Sequence, residues 1–148
     1  MTQLPVGPIH HLRLTVSDVT RSTAFYTEVL GFEVALGEAP PEGTEHRDAI
    51  VESLQHGVIL THQGMFFGLR PVDAARVDAG DRFDAGRVGL DHLSFAVPTR
   101  GDLDAAVELL DARGVEHGPI RELVPLGLLF LAFFDPDGIA LELTAPAS

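Results

Sequence analysis

The chain has 148 residues, of which 45% are hydrophobic, so it is long enough to bury the core of one domain. Its 10 Lys and Arg residues against 22 Asp and Glu residues give a formal charge of −12, which disfavours binding to nucleic acid and to anionic membrane surfaces. Cysteine is absent, which excludes disulfides and cysteine-ligated zinc, and the first residues lack the pattern of a signal peptide, so we expect a cytoplasmic protein.

Residues 9–16 predict a strand with one apolar and one polar side. The two kinds of side chain alternate in the order His11, Leu12, Arg13, Leu14, Thr15, Val16. His11 and Arg13 therefore share the polar side, while the adjacent His10 is expected to point away from it. Arg13 predicts either a salt bridge to an Asp or Glu or a clamp on an anionic or carbonyl group of a substrate.

A helix and further strands are predicted after this strand. The helix covers residues 20–30 and is stopped by Gly31. Strands are predicted at 32–36, at 49–54, and at 58–62 or 65–69; residues 37–47 predict a loop and residues 71–89 a linker.

The second half of the chain repeats the first. Residues 90–97 alternate as residues 9–16 do and place His92 where the first strand has His11. A capping-box-like start at Thr99 and Asp102 opens a helix that ends at Gly114. Strands follow at 115–120, 128–134 and 139–143. Residues 135–138, with the sequence Asp-Pro-Asp-Gly, predict a type I turn that joins the last two strands in a hairpin.

A third alternating segment, residues 137–144, carries a carboxylate on its polar side. This carboxylate belongs to Glu142, with Ala140 and Thr144 on the same side of the strand. Two imidazoles and one carboxylate can converge from His11, His92 and Glu142 on one polar concavity. This is a common ligand set for a divalent metal with free coordination positions.

Together these motifs resemble the vicinal oxygen chelate superfamily, which includes glyoxalase I, bleomycin resistance proteins, fosfomycin-modifying transferases and extradiol dioxygenases. The likeness covers roughly residues 8–146 and also includes the helix segment 22–32, Ser-Thr-Ala-Phe-Tyr running into Val-Leu-Gly-Phe. It implies an α+β fold in which two tandem βαβββ modules form a cup-shaped mixed sheet with flanking helices. We expect a single domain over residues 1–148, with modules at about 8–70 and 90–146 and the linker at about 71–89. The resemblance points to His11, His92 and Glu142 as metal ligands.

Two departures from the family pattern narrow what the resemblance implies. Gly68 aligns with Glu142, so the fourth ligand of glyoxalases and acyl-CoA epimerases is missing and the three-ligand members are the better match. Ala132 stands where extradiol dioxygenases have a tyrosine, and Tyr26 is the only tyrosine in the chain. A three-ligand site leaves positions open for chelation of a substrate through adjacent oxygens.

We therefore expect a metal-dependent enzyme acting on a small oxygen-rich molecule: a lyase, isomerase, transferase or dioxygenase. His11, His92 and Glu142 would hold Mn, Fe, Zn, Ni or Co for Lewis-acid stabilisation of an enolate or oxyanion, and Arg13 would orient the substrate. The alternative is a non-catalytic protein that resembles bleomycin resistance proteins and sequesters a cationic small molecule, which the charge of −12 favours. A homodimer is expected in either case, because the superfamily commonly dimerises.

Overall fold

The computed structural model describes residues 3–37 and 39–148. Residue 38, within the predicted loop 37–47, and residues 1 and 2 lie outside the described part. The chain divides into two compact units, Met1–Gly80 and Asp81–Ser148. No helix in the described part is long and apolar enough to span a bilayer.

In residues 3–37 and 39–80, the first unit has four strands and three helices. Their order is β1 (His11–Val16), α1 (Val19–Glu28), β2 (Glu33–Leu36), α2 (Arg47–Leu54), β3 (Val58–His62), β4 (Met65–Pro71) and α3 (Ala74–Asp78). The sheet has the order β1-β4-β3-β2, in which β1 and β4 are parallel and the other pairs antiparallel.

The second unit repeats this sheet. Its elements are β5 (Leu93–Ala96), α4 (Arg100–Arg113), β6 (Arg121–Leu123), a 3₁₀ turn (Val124–Leu126), β7 (Leu128–Phe134) and β8 (Ala140–Pro146). The order β5-β8-β7-β6, with β5 and β8 parallel, is equivalent to that of the first unit. The predicted α+β fold of two repeated modules is confirmed by this pair of mixed sheets.

Each sheet buries one face beneath a helix. In the first unit α1 packs against β3 and β4, and Tyr26 and Phe67 meet with ring centroids 4.9 Å apart. In the second unit α4 packs against β7 and β8 and buries Leu103 and Leu110. The opposite face of each sheet therefore remains open for polar side chains.

The capping box and the hairpin turn are confirmed. The Thr99 side chain accepts a bond from the Asp102 N–H, and the Asp102 carboxylate accepts one from the Thr99 N–H. In the turn between β7 and β8, the Gly138 N–H donates to the Asp135 carbonyl at 2.9 Å. This turn sets the register that pairs Glu142 with Ala132.

Two predicted strands are wrong. Residues 49–54 belong to helix α2, in which residues 47, 50, 51 and 54 are half-buried and residues 48, 49, 52 and 53 are exposed, the spacing of one helix face. Residues 115–120 form a single bridge, from His117 to Phe133, and the strand begins later, at Arg121. The predicted linker contains helix α3, whose N-cap Asp73 accepts a bond from the Ala75 N–H.

Candidate metal and substrate site

The polar side of β1 lies on the open face of the first sheet. Leu14 and Val16 are buried, whereas His11, Arg13 and Thr15 are exposed. The parallel register with β4 places Phe66 beside His11, Gly68 beside Arg13 and Arg70 beside Thr15. Neighbours in register point to the same side of a sheet, so these six side-chain positions share the open face.

His11 is accompanied by His10, contrary to the expectation that His10 points away. The Nδ1 atoms of the two rings are 3.0 Å apart, and the rings meet edge to face. The His10 ring also lies 6.2 Å from that of Phe66, measured between centroids. When His11 donates its Nδ1 proton to His10, its Nε2 atom has the lone pair that a metal requires.

Arg13 contacts a neutral group. Its Nη2 atom donates to the carbonyl oxygen of Leu54, the last residue of α2. Within residues 3–37 and 39–80, no carboxylate forms the salt bridge that was the first alternative for this residue. The second alternative, a substrate clamp, stays a prediction.

Glu142 lies on the open face of the second sheet, where two hydroxyl groups hold its carboxylate. Ser94 on β5 is its partner in register and lies 3.0 Å from Oε1, and Thr144, two residues further along β8, lies 2.8 Å from the same atom. The two hydroxyl oxygens are themselves 2.5 Å apart. With Oε1 held in this way, Oε2 is the oxygen that can coordinate a metal.

His92 precedes β5 and is oriented by its neighbour Asp91. Its Nδ1 atom lies 2.5 Å from Oδ1 of Asp91, and a carboxylate can only accept, so Nδ1 carries the proton. The lone pair is then on Nε2. A carboxylate on the outer nitrogen is the usual support of a metal-binding histidine, so this residue has the form that a metal site needs.

Apolar side chains line the rest of this open face. On β7, Leu129, Leu131 and Phe133 are buried, so the alternate residues face the open side. Of these, Phe130 lies beside Thr144 and Ala132 lies beside Glu142 in the register with β8. A ligand at Glu142 would therefore meet the Ser94 hydroxyl group on the β5 side and an aromatic ring on the β7 side.

The predicted ligands are divided between the units, with His11 in the first and His92 and Glu142 in the second. Within either unit, no three His, Asp or Glu side chains of residues 3–37 and 39–148 lie close enough together to hold a metal ion. The three-residue site therefore stays a prediction. Sequence reasoning missed Asp91, Ser94 and Thr144, although Ser94 and Thr144 follow the same alternation as His92 and Glu142.

The register supports the equivalence of Gly68 and Glu142. Gly68 is paired with Arg13, two residues after His11, just as Glu142 is paired with Ser94, two residues after His92. A Cβ atom on Gly68 would lie 3.0 Å from Cγ of Arg13. The stem of Arg13 thus crosses the place from which a fourth ligand would project.

Comparison with known proteins agrees with the repeated fold. The family model described as Glyoxalase/Bleomycin resistance protein/Dioxygenase superfamily matches residues 8–143. The uncharacterized protein YwkD of Bacillus subtilis (strain 168) is 35% identical over 135 residues, which cover 91% of this chain and 94% of YwkD.

Two solved structures extend the comparison. A glyoxylase/bleomycin resistance protein/dioxygenase domain from Frankia sp. EAN1pec has a TM-score of 0.72 and 30% identity, covering 95% of this chain and 93% of its own. A mutant of the fosfomycin resistance protein FosX from Listeria monocytogenes, complexed with Mn(II) and dihydroxypropylphosphonic acid, has a TM-score of 0.71. It is 20% identical and covers 97% of this chain and 94% of its own, a likeness that shows the fold alone.

Proposed function

The chain belongs to the Glyoxalase/Bleomycin resistance protein/Dioxygenase superfamily, and we propose that it is a metal-dependent enzyme acting on a small oxygen-rich molecule. His11, His92 and Glu142 are the proposed ligands of a divalent ion, Mn, Fe, Zn, Ni or Co. Mn(II) in the FosX structure is consistent with this choice of metals. A divalent ion held by these residues supplies Lewis-acid polarisation of substrate oxygens.

The observation that carries the proposal is the orientation of the ligand atoms in the second unit. Ser94 and Thr144 hold one oxygen of Glu142, and Asp91 holds the Nδ1 proton of His92. Nε2 of His92 and Oε2 of Glu142 are thereby left as the atoms that these contacts do not use. This nitrogen and oxygen donor set suits the borderline divalent metals.

The chain's own residues perform the remaining tasks in the proposed reaction. Arg13, on the same face as His11, orients a carbonyl or anionic group of the substrate through its planar guanidinium. Phe130, whose register places it beside Thr144, provides an apolar surface that excludes water from a substrate at Glu142. The open coordination positions predict chelation through two adjacent oxygens.

The test is metal binding by the full chain. Protein stripped with a chelator and titrated calorimetrically with Mn(II), Co(II) or Zn(II) is expected to bind one ion per set of ligands and to retain it through dialysis. His11→Ala, His92→Ala and Glu142→Ala should each lower the affinity by more than the ~10–100-fold typical of losing an outer-shell partner.

His46→Asn is the matched control. His46 is exposed, pairs with Glu45 at 3.2 Å and has a φ of 59°, which asparagine tolerates. Its metal affinity should equal that of the wild type. Loss of all metal from the wild type on dialysis, together with no effect of His92→Ala on the titration, would contradict the proposal.

A further inference from the structure

Two arginines lie together on the open face of the first sheet, on the side that carries His11. Arg13 is on β1 and Arg70 is on β4, where its partner in register is Thr15. Arg13 is two residues from His11, or about 6.6 Å along the strand at ~3.3 Å per residue. The pair is therefore close to the proposed metal ligand of this unit.

Among residues 3–37 and 39–80, no carboxylate neutralises either guanidinium group. Arg13 donates to the Leu54 carbonyl, and Arg70 donates from Nε to Thr15 Oγ1 at 3.1 Å and from Nη1 to Gln55 Oε1 at 2.5 Å. Each of these acceptors is uncharged, and a guanidinium has more N–H donors than these bonds use. In residues 3–37 and 39–80, no Asp or Glu pairs with either arginine, although the chain has 22 acidic residues.

The contacts of both arginines converge on one end of α2. Leu54 is the last residue of this helix and Gln55 is its C-cap, so Arg13 and Arg70 bind the helix end where the dipole favours cations. At its other end, the Nε atom of Arg47 donates to the Pro40 carbonyl at 2.9 Å, and residues 50, 51 and 54 are half-buried. The helix buries none of its residues fully, and its N-cap His46 makes no side-chain capping bond.

We propose that Arg13 and Arg70 form a subsite for an oxyanion group of the substrate, a carboxylate or a phosphate-like group, and that the anion replaces the end of α2 as their partner. The inference rests on the proposed function, because it names the substrate class for the same face. An oxyanion adds the attraction between opposite charges to these hydrogen bonds, so it competes with the carbonyl and amide oxygens for the same N–H donors. The planar fork of each guanidinium matches an oxyanion in two-point contact.

Anion binding to the metal-free full chain tests the subsite separately from the metal. Calorimetric titration with inorganic phosphate, and in a second arm with malonate, distinguishes a tetrahedral from a planar oxyanion. We expect saturable binding to the wild type that weakens with salt, and about 10-fold weaker binding for Arg13→Gln and for Arg70→Gln. Arg70→Lys, which retains the charge without the fork, should lie between the wild type and Arg70→Gln.

Arg21→Gln is the matched control. Arg21 is an exposed arginine of α1 that donates to Ser17 Oγ at 2.8 Å, so its replacement removes one charge from the same unit outside the pair. Its anion affinity should equal that of the wild type. A reduction as large as that of Arg13→Gln would show that net charge controls binding and would overturn the subsite.

Hydrogen exchange of residues 47–57 tests whether the anion replaces the end of α2 as the partner of the two arginines. These amides should exchange faster when phosphate or malonate saturates the wild type, and also in Arg13→Gln without any anion. Unchanged exchange on saturation would overturn the replacement, and failure of both anions to bind would overturn the subsite. Metal binding without anion binding contradicts only this inference, whereas anion binding without metal retention contradicts only the proposed metal function.

Discussion

The carboxylate of Glu142 is held by hydroxyl groups on two strands, and this contact controls which of its oxygens is available. Ser94 and Thr144 both lie within hydrogen-bond distance of Oε1. The three oxygens, Ser94 Oγ, Thr144 Oγ1 and Glu142 Oε1, all contact each other. Each hydroxyl has one proton, so at most two of these three contacts are hydrogen bonds. The fixed orientation lowers the entropy that Glu142 would lose on binding a metal.

Ser94→Ala is expected to weaken metal binding by about 10–100-fold, because an outer-shell partner of a ligand is lost. Thr144→Val should have an effect of similar size, with the hydroxyl replaced by a methyl group of the same shape. Metal affinity by calorimetry is the measurement, and the exposed Ser53 provides the control Ser53→Ala. Wild-type affinity in both variants would show that the hydroxyl groups do not support Glu142.

At the scale of elements, His117 joins the end of α4 to the bridged segment that precedes β6. Its Nδ1 atom donates to the Gly118 carbonyl at 2.8 Å, and its Nε2 atom donates to Asp111 at 3.1 Å. Asp111 belongs to α4, and the His117 backbone forms the bridge to Phe133. Because both ring nitrogens face acceptors, the doubly protonated imidazolium satisfies this arrangement.

These contacts raise the pKa of His117 above its ordinary value of 6.5, through the Gly118 carbonyl first and the Asp111 carboxylate second. A raised pKa in the folded state contributes stability that is complete below pH 6.5 and is lost as the pH rises through the folded pKa. The free energy of unfolding should therefore differ more between the wild type and His117→Ala at about pH 5.5 than at about pH 8.5.

Denaturant unfolding at the two pH values measures this difference. Asp111→Asn is the companion variant: it keeps the side-chain shape and removes the carboxylate, so it should reduce the pH-dependent part of the difference. A gap between wild type and His117→Ala that stays constant across the two pH values would contradict the raised pKa.

Helix α2 shows how helical spacing outweighs β propensity. The run Ala49, Ile50 and Val51 favours a strand on β propensity, yet residues 47, 50, 51 and 54 are half-buried at the spacing of one helix face. The segment forms a helix whose end binds two arginines. The segment predicted as a strand is therefore the helix whose end binds Arg13 and Arg70 in the anion proposal.

At the scale of the whole molecule, the net charge of −12 and the arginine pair lead to opposite expectations about the ligand. The charge supports the alternative of a protein that sequesters a cationic small molecule. Arg13 and Arg70 favour an anion on the first sheet, because nearby groups control a bound ligand more strongly than distant screened charges. Calorimetry with cationic glycopeptides and with phosphate separates the two.

A homodimer stays a prediction. It can be tested together with the question of whether the proposed metal ligands come from one chain or from two. His11→Ala chains mixed with Glu142→Ala chains should regain metal binding only if one site combines ligands from two chains. In that arrangement, each hetero-dimer has one intact set of His11, His92 and Glu142. If each site comes from one chain, all sites in the mixture lack a ligand.

Light scattering at micromolar protein concentration checks the assembly itself, and a monomeric mass would contradict the dimer. Helix α3 bears on the exchange of modules between chains because it lies within the predicted linker. Its residues rise about 1.5 Å each, compared with ~3.3 Å in an extended chain, so it shortens the reach of residues 71–89.

The sequence alone determined the repeated architecture of this protein, and it indicated the residues that are proposed as metal ligands. Alternation of apolar and polar residues is a local pattern, so it revealed the open sides of β1 and β8 and with them His11 and Glu142. Local turn and capping chemistry likewise predicted the hairpin at residues 135–138 and the start of α4.

Tertiary structure decided what those residues contact, because contacts between strands depend on register. Ser94 and Glu142 lie on β5 and β8, which are distant in sequence and become neighbours only in the sheet. The same holds for Arg13 on β1 and Arg70 on β4. The ligand candidates were therefore readable from local sequence, whereas their supporting partners and the arginine pair emerged only when the sheets were assembled.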